Sequence, residues 1–193
     1  MERTVKDLMI DFETLGLDDN CVVLSIGAVA FDRDSFDLGE PFYATFVPFL
    51  DEQVGAGRTI NPNTVMWWLQ QSDEARQGLQ DASGVDMFRD IGSLLSEFHR
   101  LFIDGTPVPA QRIWAKDPDF DVAILKSLWR SFPPIYNHPF PFKHNAGRSV
   151  RTIEDIGAGV SRAPFEGTPH NALDDAIAQA KRVQEVFAWL RSR

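Results

Sequence analysis

The chain has 193 residues, of which 44% are hydrophobic and 11% aromatic, so its composition supports a full core and excludes an intrinsically disordered chain. Its formal net charge of −9 at pH 7 argues against a protein that follows a long nucleic-acid duplex, because such proteins present a broad basic face. The single Cys21 excludes a disulfide within the chain and favours a reducing compartment. With no internal repeat, signal-peptide pattern or run of about 18 apolar residues, we expect residues 1–193 to form one cytoplasmic domain without a membrane segment.

Three strands are predicted at the start of the chain. Residues 5–12 and 21–31 are rich in β-branched and aliphatic side chains, and a turn-like cluster at 16–20 joins them. Residues 42–47, which Pro48 ends, are the third candidate strand. Three strands in succession predict an antiparallel meander.

The middle of the chain alternates between helical and strand patterns. Helices are predicted to begin at Asn61 and Ser72, and apolar side chains recur with a helical period over 86–103. A short strand is expected at 113–115 and a helix at 120–132. The alternation predicts an α/β sheet covered by helices.

The last part of the chain predicts a loop followed by helices. Residues 133–147 are rich in Pro and His, and 152–156 can form one or two helical turns with Thr152 as the cap. A long helix is predicted over 171–191. We expect its buried face to carry Ala172, Ala176, Ala180, Val183, Phe187 and Leu190.

An acidic pair follows the first apolar run. Asp11 and Glu13 are two residues apart, so their side chains project from one face of a strand while Phe12 projects from the other. The two carboxylates repel each other unless a cation neutralises them. Such a pair also occurs at ordinary strand-to-turn boundaries. Here, however, it lies at the end of a buried strand, where the ligand-binding sites of α/β proteins are commonly found.

Two more acidic positions and a histidine extend the pattern. Asp121 lies at the start of a predicted helix, where it either caps the helix or, with Asp119 as the cap, faces a site. His170 and Asp175 flank the start of the last helix, so both can face one point, although a histidine there also suits a surface or capping role. Asp174 points elsewhere around the helix, toward solvent or a supporting contact.

Together these side chains predict a two-metal phosphodiesterase. Carboxylate oxygens are the ligands that hard divalent cations such as Mg²⁺ prefer. Two such ions can stabilise both the attacking and the leaving oxygen of a phosphoryl displacement, and a histidine beside them can take a proton from the attacking water. The acidic net charge is compatible with this, because an enzyme that grips only a few nucleotides at a strand end needs few phosphate contacts.

The order of these motifs resembles that of the DEDD-type 3′–5′ exonucleases of the DnaQ-like superfamily, in their histidine-containing (DEDDh) subclass. Asp-x-Glu (Asp11, Glu13) resembles the first exonuclease motif and Phe-Asp, ending at Asp121, the second. His-x4-Asp (His170, Asp175) resembles the third. The resemblance covers nearly the whole chain.

The sequence around the motifs narrows this resemblance. Residues 11–16, 67–72 and 148–152 are similar to the phage DexA-type exonucleases and their bacterial exoribonuclease relatives. One departure lies at Asp117, where many relatives have an Asn four residues before the Asp of the second motif.

The resemblance implies a ribonuclease H-like fold: a central mixed sheet of three antiparallel strands and then parallel strands, flanked by helices. It also implies two divalent cations, Mg²⁺ or Mn²⁺. Asp11, Glu13 and Asp175 would bind one cation, and Asp11 would bridge to a second supported by Asp121. His170 would act as the general base in the release of nucleoside 5′-monophosphates.

Side chains near the motifs are candidates for substrate contacts. By resemblance, the two residues after the acidic pair would meet the 3′-hydroxyl and base of the terminal nucleotide. Two adjacent tryptophans can stack on bases, but neighbouring helical residues point about 100° apart, so at least one is expected in the core. Two arginines in a basic run can clamp a phosphate or form ion pairs on a solvated face. These candidates are Thr14, Leu15, Trp67, Trp68, Arg148 and Arg151.

The expected substrate is single-stranded nucleic acid or a 3′ overhang. The sequence leaves RNA and DNA open, because recognition of the 2′-hydroxyl depends on pocket geometry. A second form of this prediction is an enzyme that trims very short RNA, a substrate that is compatible with the acidic net charge. The alternative is a non-catalytic nucleic-acid-binding or proofreading-type partner module with the same fold, which would not need four converging carboxylates. The resemblance also allows a homodimer.

Overall fold

The first three strands form the predicted antiparallel meander. The computed structural model describes residues 6–80, 88–106 and 109–193. The strands are β1 (Asp7–Thr14), β2 (Val23–Phe31) and β3 (Leu38–Thr45). β1 pairs with β2 and β2 with β3, both antiparallel, and the register sets Asp11 opposite Gly27.

Two parallel strands extend the sheet on the other side of β1. β4 (Arg112–Ala115) pairs with β1, and β5 (Gly147–Ser149) pairs with β4. Within the described residues the sheet has five strands in the order β3-β2-β1-β4-β5, which is the mixed sheet expected. Because β1, β4 and β5 are parallel, their carboxyl ends share one edge. The predicted loop over 133–147 ends in β5, a strand too short to produce an alternating pattern.

Helices and helical turns join and cover the strands. No helix in the described part of the chain is long and apolar enough to cross a membrane. The α-helices are α1 (Leu50–Gly55), α2 (Pro62–Trp68), α3 (Asp73–Gln80), α4 (Ile91–His99), α5 (Asp121–Ser131), α6 (Val150–Ile156) and α7 (Ala172–Arg191).

Capping side chains explain where several helices begin. Asn61 caps α2 as its sequence predicts, with Pro62 in the first turn. The helix predicted over 86–103 begins later, because Asp90 and Ser93 form a capping box ahead of α4; residues 86 and 87 lie outside the described part of the chain.

The cap predicted for the short helix near the third motif is wrong. Ser149, not Thr152, caps α6: the Ser149 hydroxyl accepts the backbone N–H of Thr152 at 3.3 Å. Ser149 is the last residue of β5 and still has an extended backbone, which is the conformation a cap requires.

Helices pack on both faces of the sheet, and the alternation along β1 decides which residue meets which helix. Leu8 and Ile10 belong to the core shared with α4 and α5, whereas Met9 packs with α7. Asp11 and Glu13 follow Met9 at steps of two, so they project toward α7. The first four predicted core residues of α7 are buried and Phe187 is partly buried, but Leu190 is 41% exposed because the last turn of the helix projects into solvent.

The first turn of α7 lies directly on β2. A Cβ on Gly27 would lie 2.1 Å from the carbonyl carbon of Ala172, so only a glycine permits this approach. Since Gly27 is opposite Asp11 in the sheet, the contact brings the start of α7 over the acidic end of β1.

Candidate active site

The acidic pair lies at the carboxyl end of β1, on the face that α7 covers. Burial and the charges of Asp121, Glu13 and Asp175 hold the pKa of Asp11 well above its ordinary value of 3.8. Glu13 is 9% exposed, and burial together with the charges of Asp175 and Asp121 raises its pKa from 4.5 to about 8. Ionising both groups therefore places negative charge beside other acids in a place with little water, which is unfavourable without a cation.

Asp121 joins the site through the main chain of β1. Its carboxylate accepts the backbone N–H of Phe12 at 3.2 Å, which ties the start of α5 to the strand between the two acidic residues. Burial raises the pKa of Asp121 to about 7. The expectation that Asp119 caps α5 is wrong, because its own N–H donates to the Asp117 carboxylate and α5 has no side-chain cap.

His170 and Asp175 are brought to the same point by the loop before α7. The backbone N–H of His170 donates to the Asp175 carboxylate at 3.0 Å, and His170 has a left-handed backbone (φ 64°). Asp174 supports this loop by accepting the N–H of Thr168 at 2.8 Å. Ligand atoms of Glu13, His170 and Asp175 lie within 4.8 Å of one another.

A further side chain of α7, Gln179, contacts the acidic end of β1. Its amide nitrogen donates to the Asp11 carboxylate at 2.8 Å, while its amide oxygen is buried without a partner among the described residues. Sequence reasoning missed Gln179. Its position four residues after Asp175 was the available signal, because residues at that spacing lie on one face of a helix.

A cavity of about 400 Å³ opens on these side chains. Its lining includes Asp11, Glu13, His170 and Asp175 together with the segment 162–166. A volume of this order suits a ligand of nucleotide size.

The two predicted tryptophans have different environments. Trp68 is 6% exposed and its indole N–H donates to the carbonyl of Thr14 at 2.9 Å, so it belongs to the core and the prediction that it stacks on a base is wrong. Trp67 is 40% exposed, and its ring lies 4.9 Å from that of His170. Trp67 therefore remains the candidate for a base contact.

The two residues after the acidic pair are held by the surrounding structure. Thr14 is buried, and its hydroxyl donates to the carbonyl of Gly16 at 2.8 Å. The side chain of Leu15 packs against the small cluster formed by Leu24, Trp68 and Ala75. Contacts of Thr14 and Leu15 with a terminal nucleotide stay a prediction.

The two predicted arginines lie outside the cavity lining. The Arg148 guanidinium donates to the carbonyls of Asn145 and Gly147, both at 2.8 Å, and Arg151 is exposed on α6. A phosphate contact at these arginines stays a prediction for nucleotides beyond the cavity.

The four acidic residues have the chemistry of a divalent-cation site. Within the described residues no Lys or Arg forms an ion pair with Asp11, Glu13, Asp121 or Asp175. Burial and mutual repulsion raise their pKa values, as expected for carboxylates whose charge no cation compensates. All the donor atoms are oxygens apart from the imidazole of His170, which fits Mg²⁺ or Mn²⁺.

The mixed sheet, with four carboxylates and a histidine near the end of its middle strand, has the ribonuclease H-like arrangement that the motif resemblance implies. The same fold occurs in Escherichia coli exonuclease I in complex with an oligonucleotide, with a TM-score of 0.58, 15% identity and coverage of 98% of this chain and 44% of that one. It also occurs in the nuclease domain of 3′hExo, a DEDDh family member bound to rAMP, with a TM-score of 0.56, 12% identity and coverage of 99% and 94%.

The chain belongs to the family described as the 3′-5′ exoribonuclease Rv2179c-like domain, which matches residues 6–187. A curated relative, the exodeoxyribonuclease of Enterobacteria phage T4, is 28% identical over 141 residues, which cover 64% of this chain and 56% of that protein. The chain thus spans little more than half the length of this relative. The resemblance seen in the sequence motifs is confirmed.

Proposed function

We propose that this protein is a metal-dependent 3′–5′ exonuclease that removes nucleoside 5′-monophosphates from the 3′ end of single-stranded nucleic acid or of 3′ overhangs. The observation that carries the proposal is the convergence of Asp11, Glu13, Asp121 and Asp175 beside His170, with no Lys or Arg paired to them in the described part of the chain. Membership in a 3′-5′ exoribonuclease-like family supports the reaction class.

The four carboxylates would hold two divalent cations, Mg²⁺ or Mn²⁺. Asp11, Glu13 and Asp175 would bind one of them, and Asp11 with Asp121 the other. When bound, such ions lower the pKa of coordinated water and stabilise charge on the phosphate oxygens. Gln179 and the N–H of Phe12 keep the carboxylates of Asp11 and Asp121 in place for this role.

His170 would act as the general base. It accepts a proton on an imidazole nitrogen as the oxygen of the attacking water bonds to phosphorus. The bond between phosphorus and the 3′-oxygen of the preceding nucleotide breaks, and that oxygen leaves as a 3′-hydroxyl after protonation by solvent. The released product is a nucleoside 5′-monophosphate. The hydrogen bond from the His170 backbone to Asp175 holds the residue close to the carboxylates.

The cavity supports a substrate with a free end. Its volume of about 400 Å³ accommodates about one nucleotide, so a chain would enter by its terminal residue. Trp67, next to His170, offers an exposed aromatic surface to an adjacent base, and Thr14 and Leu15 are the candidates for contacts with the terminal nucleotide. Both RNA and DNA remain candidate substrates, because the family is described as exoribonuclease-like whereas the phage relative is an exodeoxyribonuclease.

The test is hydrolysis of a 5′-labelled single-stranded RNA and the matched DNA in Mg²⁺ or Mn²⁺, with EDTA and the Asp11→Asn variant as controls. We expect a ladder that shortens from the 3′ end and is absent in both controls. The relative rates on the two substrates identify the preferred sugar. Binding of both strands without cleavage in any metal would contradict the proposal and favour a non-catalytic binding module.

A further inference from the structure

The cavity beside the carboxylates contains four cationic side chains, and three of them are already paired with acids. Arg162 forms an ion pair with Glu154, and the other two pairs join side chains of α7 to neighbouring acids. These are Lys181 with Glu166 at 2.6 Å and Arg182 with Glu185 at 3.0 Å. The fourth cation, Lys116, forms no side-chain ion pair with any residue in the described ranges.

Lys116 is held at the active-site edge of the sheet. It follows Ala115, the last residue of β4, and its carbonyl accepts the backbone N–H of Arg151 at 3.4 Å. The side chain lines the cavity together with Glu13, His170 and Asp175. Burial raises the pKa of Asp175, and the positive charge of Lys116 is among the contributions that oppose this rise. Lys116 is therefore close enough to affect the charge balance of the site.

Charge balance indicates what this ammonium group would bind. Four ionised carboxylates and two divalent cations sum to zero net charge. A phosphodiester adds one negative charge, and a nucleoside 5′-monophosphate adds up to two. An unpaired lysine supplies compensating charge, and an ammonium group is a common phosphate ligand in proteins.

We propose that Lys116 binds the phosphate at the cleavage site, first in the substrate strand and then as the 5′-phosphate of the product. That the ligand is a nucleic-acid strand rests on the proposed function. That the residue is Lys116 rests on the cavity lining and on the pattern of ion pairs. The assignment makes Lys116 a substrate-contacting residue that the sequence motifs do not include.

The test compares nucleotides that carry the phosphate with a nucleoside that lacks it. Calorimetry in Mg²⁺ measures the binding of AMP, dAMP and adenosine to the protein and to Lys116→Met and Lys116→Arg. Lys126→Met is the matched control, because Lys126 lies over the ring of Phe140 and outside the cavity lining. We expect Lys116→Met to weaken AMP and dAMP at least about tenfold while adenosine is unchanged. Lys116→Arg should retain most of the affinity, and Lys126→Met all of it.

The assignment would be overturned by equal AMP affinity in Lys116→Met and the unmodified protein, or by equal losses for AMP and adenosine. The unmodified protein failing to bind AMP better than adenosine would also overturn it. Cleavage of labelled oligonucleotides by the same variants separates this from the proposed function. If the protein binds AMP through Lys116 but does not cleave oligonucleotides, the phosphate site would be supported and the exonuclease function would be contradicted.

Discussion

The indole of Trp67 packs edge-on against the imidazole of His170, with 4.9 Å between ring centroids and 82° between planes. Trp68, the next residue, is anchored by its N–H to the carbonyl of Thr14 at the end of β1. Because Trp67 also contacts Trp68 edge-on, a single helical turn of α2 connects the acidic strand to the histidine. This arrangement gives His170 an aromatic neighbour in addition to its backbone hydrogen bond to Asp175.

Replacing Trp67 tests this contact. We expect Trp67→Ala to lower kcat about tenfold with a smaller change in KM, since the imidazole loses an aromatic neighbour that restricts its orientation. Trp67→Phe should recover most of the rate because an aromatic edge is restored. Steady-state kinetics on a short oligonucleotide separate the two roles of Trp67: the fall in kcat reports its contact with His170, and the change in KM reports the proposed base contact. An unchanged kcat would contradict a role in orienting His170.

Asp175→Asn should lower turnover more than about a hundredfold while leaving the fold intact. The asparagine oxygen can still accept the N–H of His170, so the loop is kept and only the ligand charge is lost. The matched control is Asp174→Asn, which keeps the contact with Thr168 and should retain most of the activity. Circular dichroism and oligonucleotide hydrolysis measure both; full activity of Asp175→Asn would remove this residue from the metal site.

The stability of the metal-free protein should fall as pH rises. Glu13 has a folded pKa of about 8 against 4.5 ordinarily, and Asp121 about 7 against 3.8. Between these values the folded state binds more protons than the unfolded state, so the free energy of unfolding decreases from about pH 4 to about pH 8. Thermal denaturation in EDTA across this range should show the loss.

A Glu13 variant and the addition of metal test the cause of this pH dependence. Glu13→Gln should flatten the profile and raise the Tm at pH 8 by at least about 3 °C, because it removes a buried charge. Mg²⁺ or Mn²⁺ should stabilise the unmodified protein more at pH 8 than at pH 5, since the ligands must be deprotonated. A Tm independent of metal at pH 8 would contradict the cation site.

Gln179→Ala should lower activity and metal affinity by about tenfold, because the hydrogen bond that orients the Asp11 carboxylate is lost. The fold should be little affected, as Gln179 is only half-buried. Metal titration by calorimetry gives the affinity and oligonucleotide hydrolysis gives the rate. An unchanged metal affinity would show that Asp11 keeps its orientation without the amide.

Gly27→Ala should destabilise the protein by about 1–3 kcal/mol and impair activity, because the added methyl group separates α7 from β2. Gly55→Ala is the matched control, since a Cβ at Gly55 has no neighbour within 4 Å among the described residues. Urea denaturation compares the two variants. Equal stability of both would mean that α7 can shift at no cost.

The sequence by itself determined the first four strands, most helices and the grouping of the acidic residues, but not the short strand β5. The two-residue spacing of Asp11 and Glu13 places them on one face of any strand, whatever packs against it. The five-residue spacing of His170 and Asp175 across a helix start likewise depends only on local geometry. Local periodicity needs no knowledge of distant residues, so these predictions agree with the structure, whereas the caps predicted at Thr152 and Asp119 do not.

Only the tertiary structure decided which side chains support the site and which line it. Trp68 rather than Trp67 is buried because of where α2 meets the end of β1. Gln179 reaches Asp11 because Gly27 lets α7 approach the sheet. Lys116 lines the same cavity as residues of β1 and α7 because β4 pairs with β1. Contacts of this kind depend on how distant segments approach one another, and no short-range spacing in the chain records that approach.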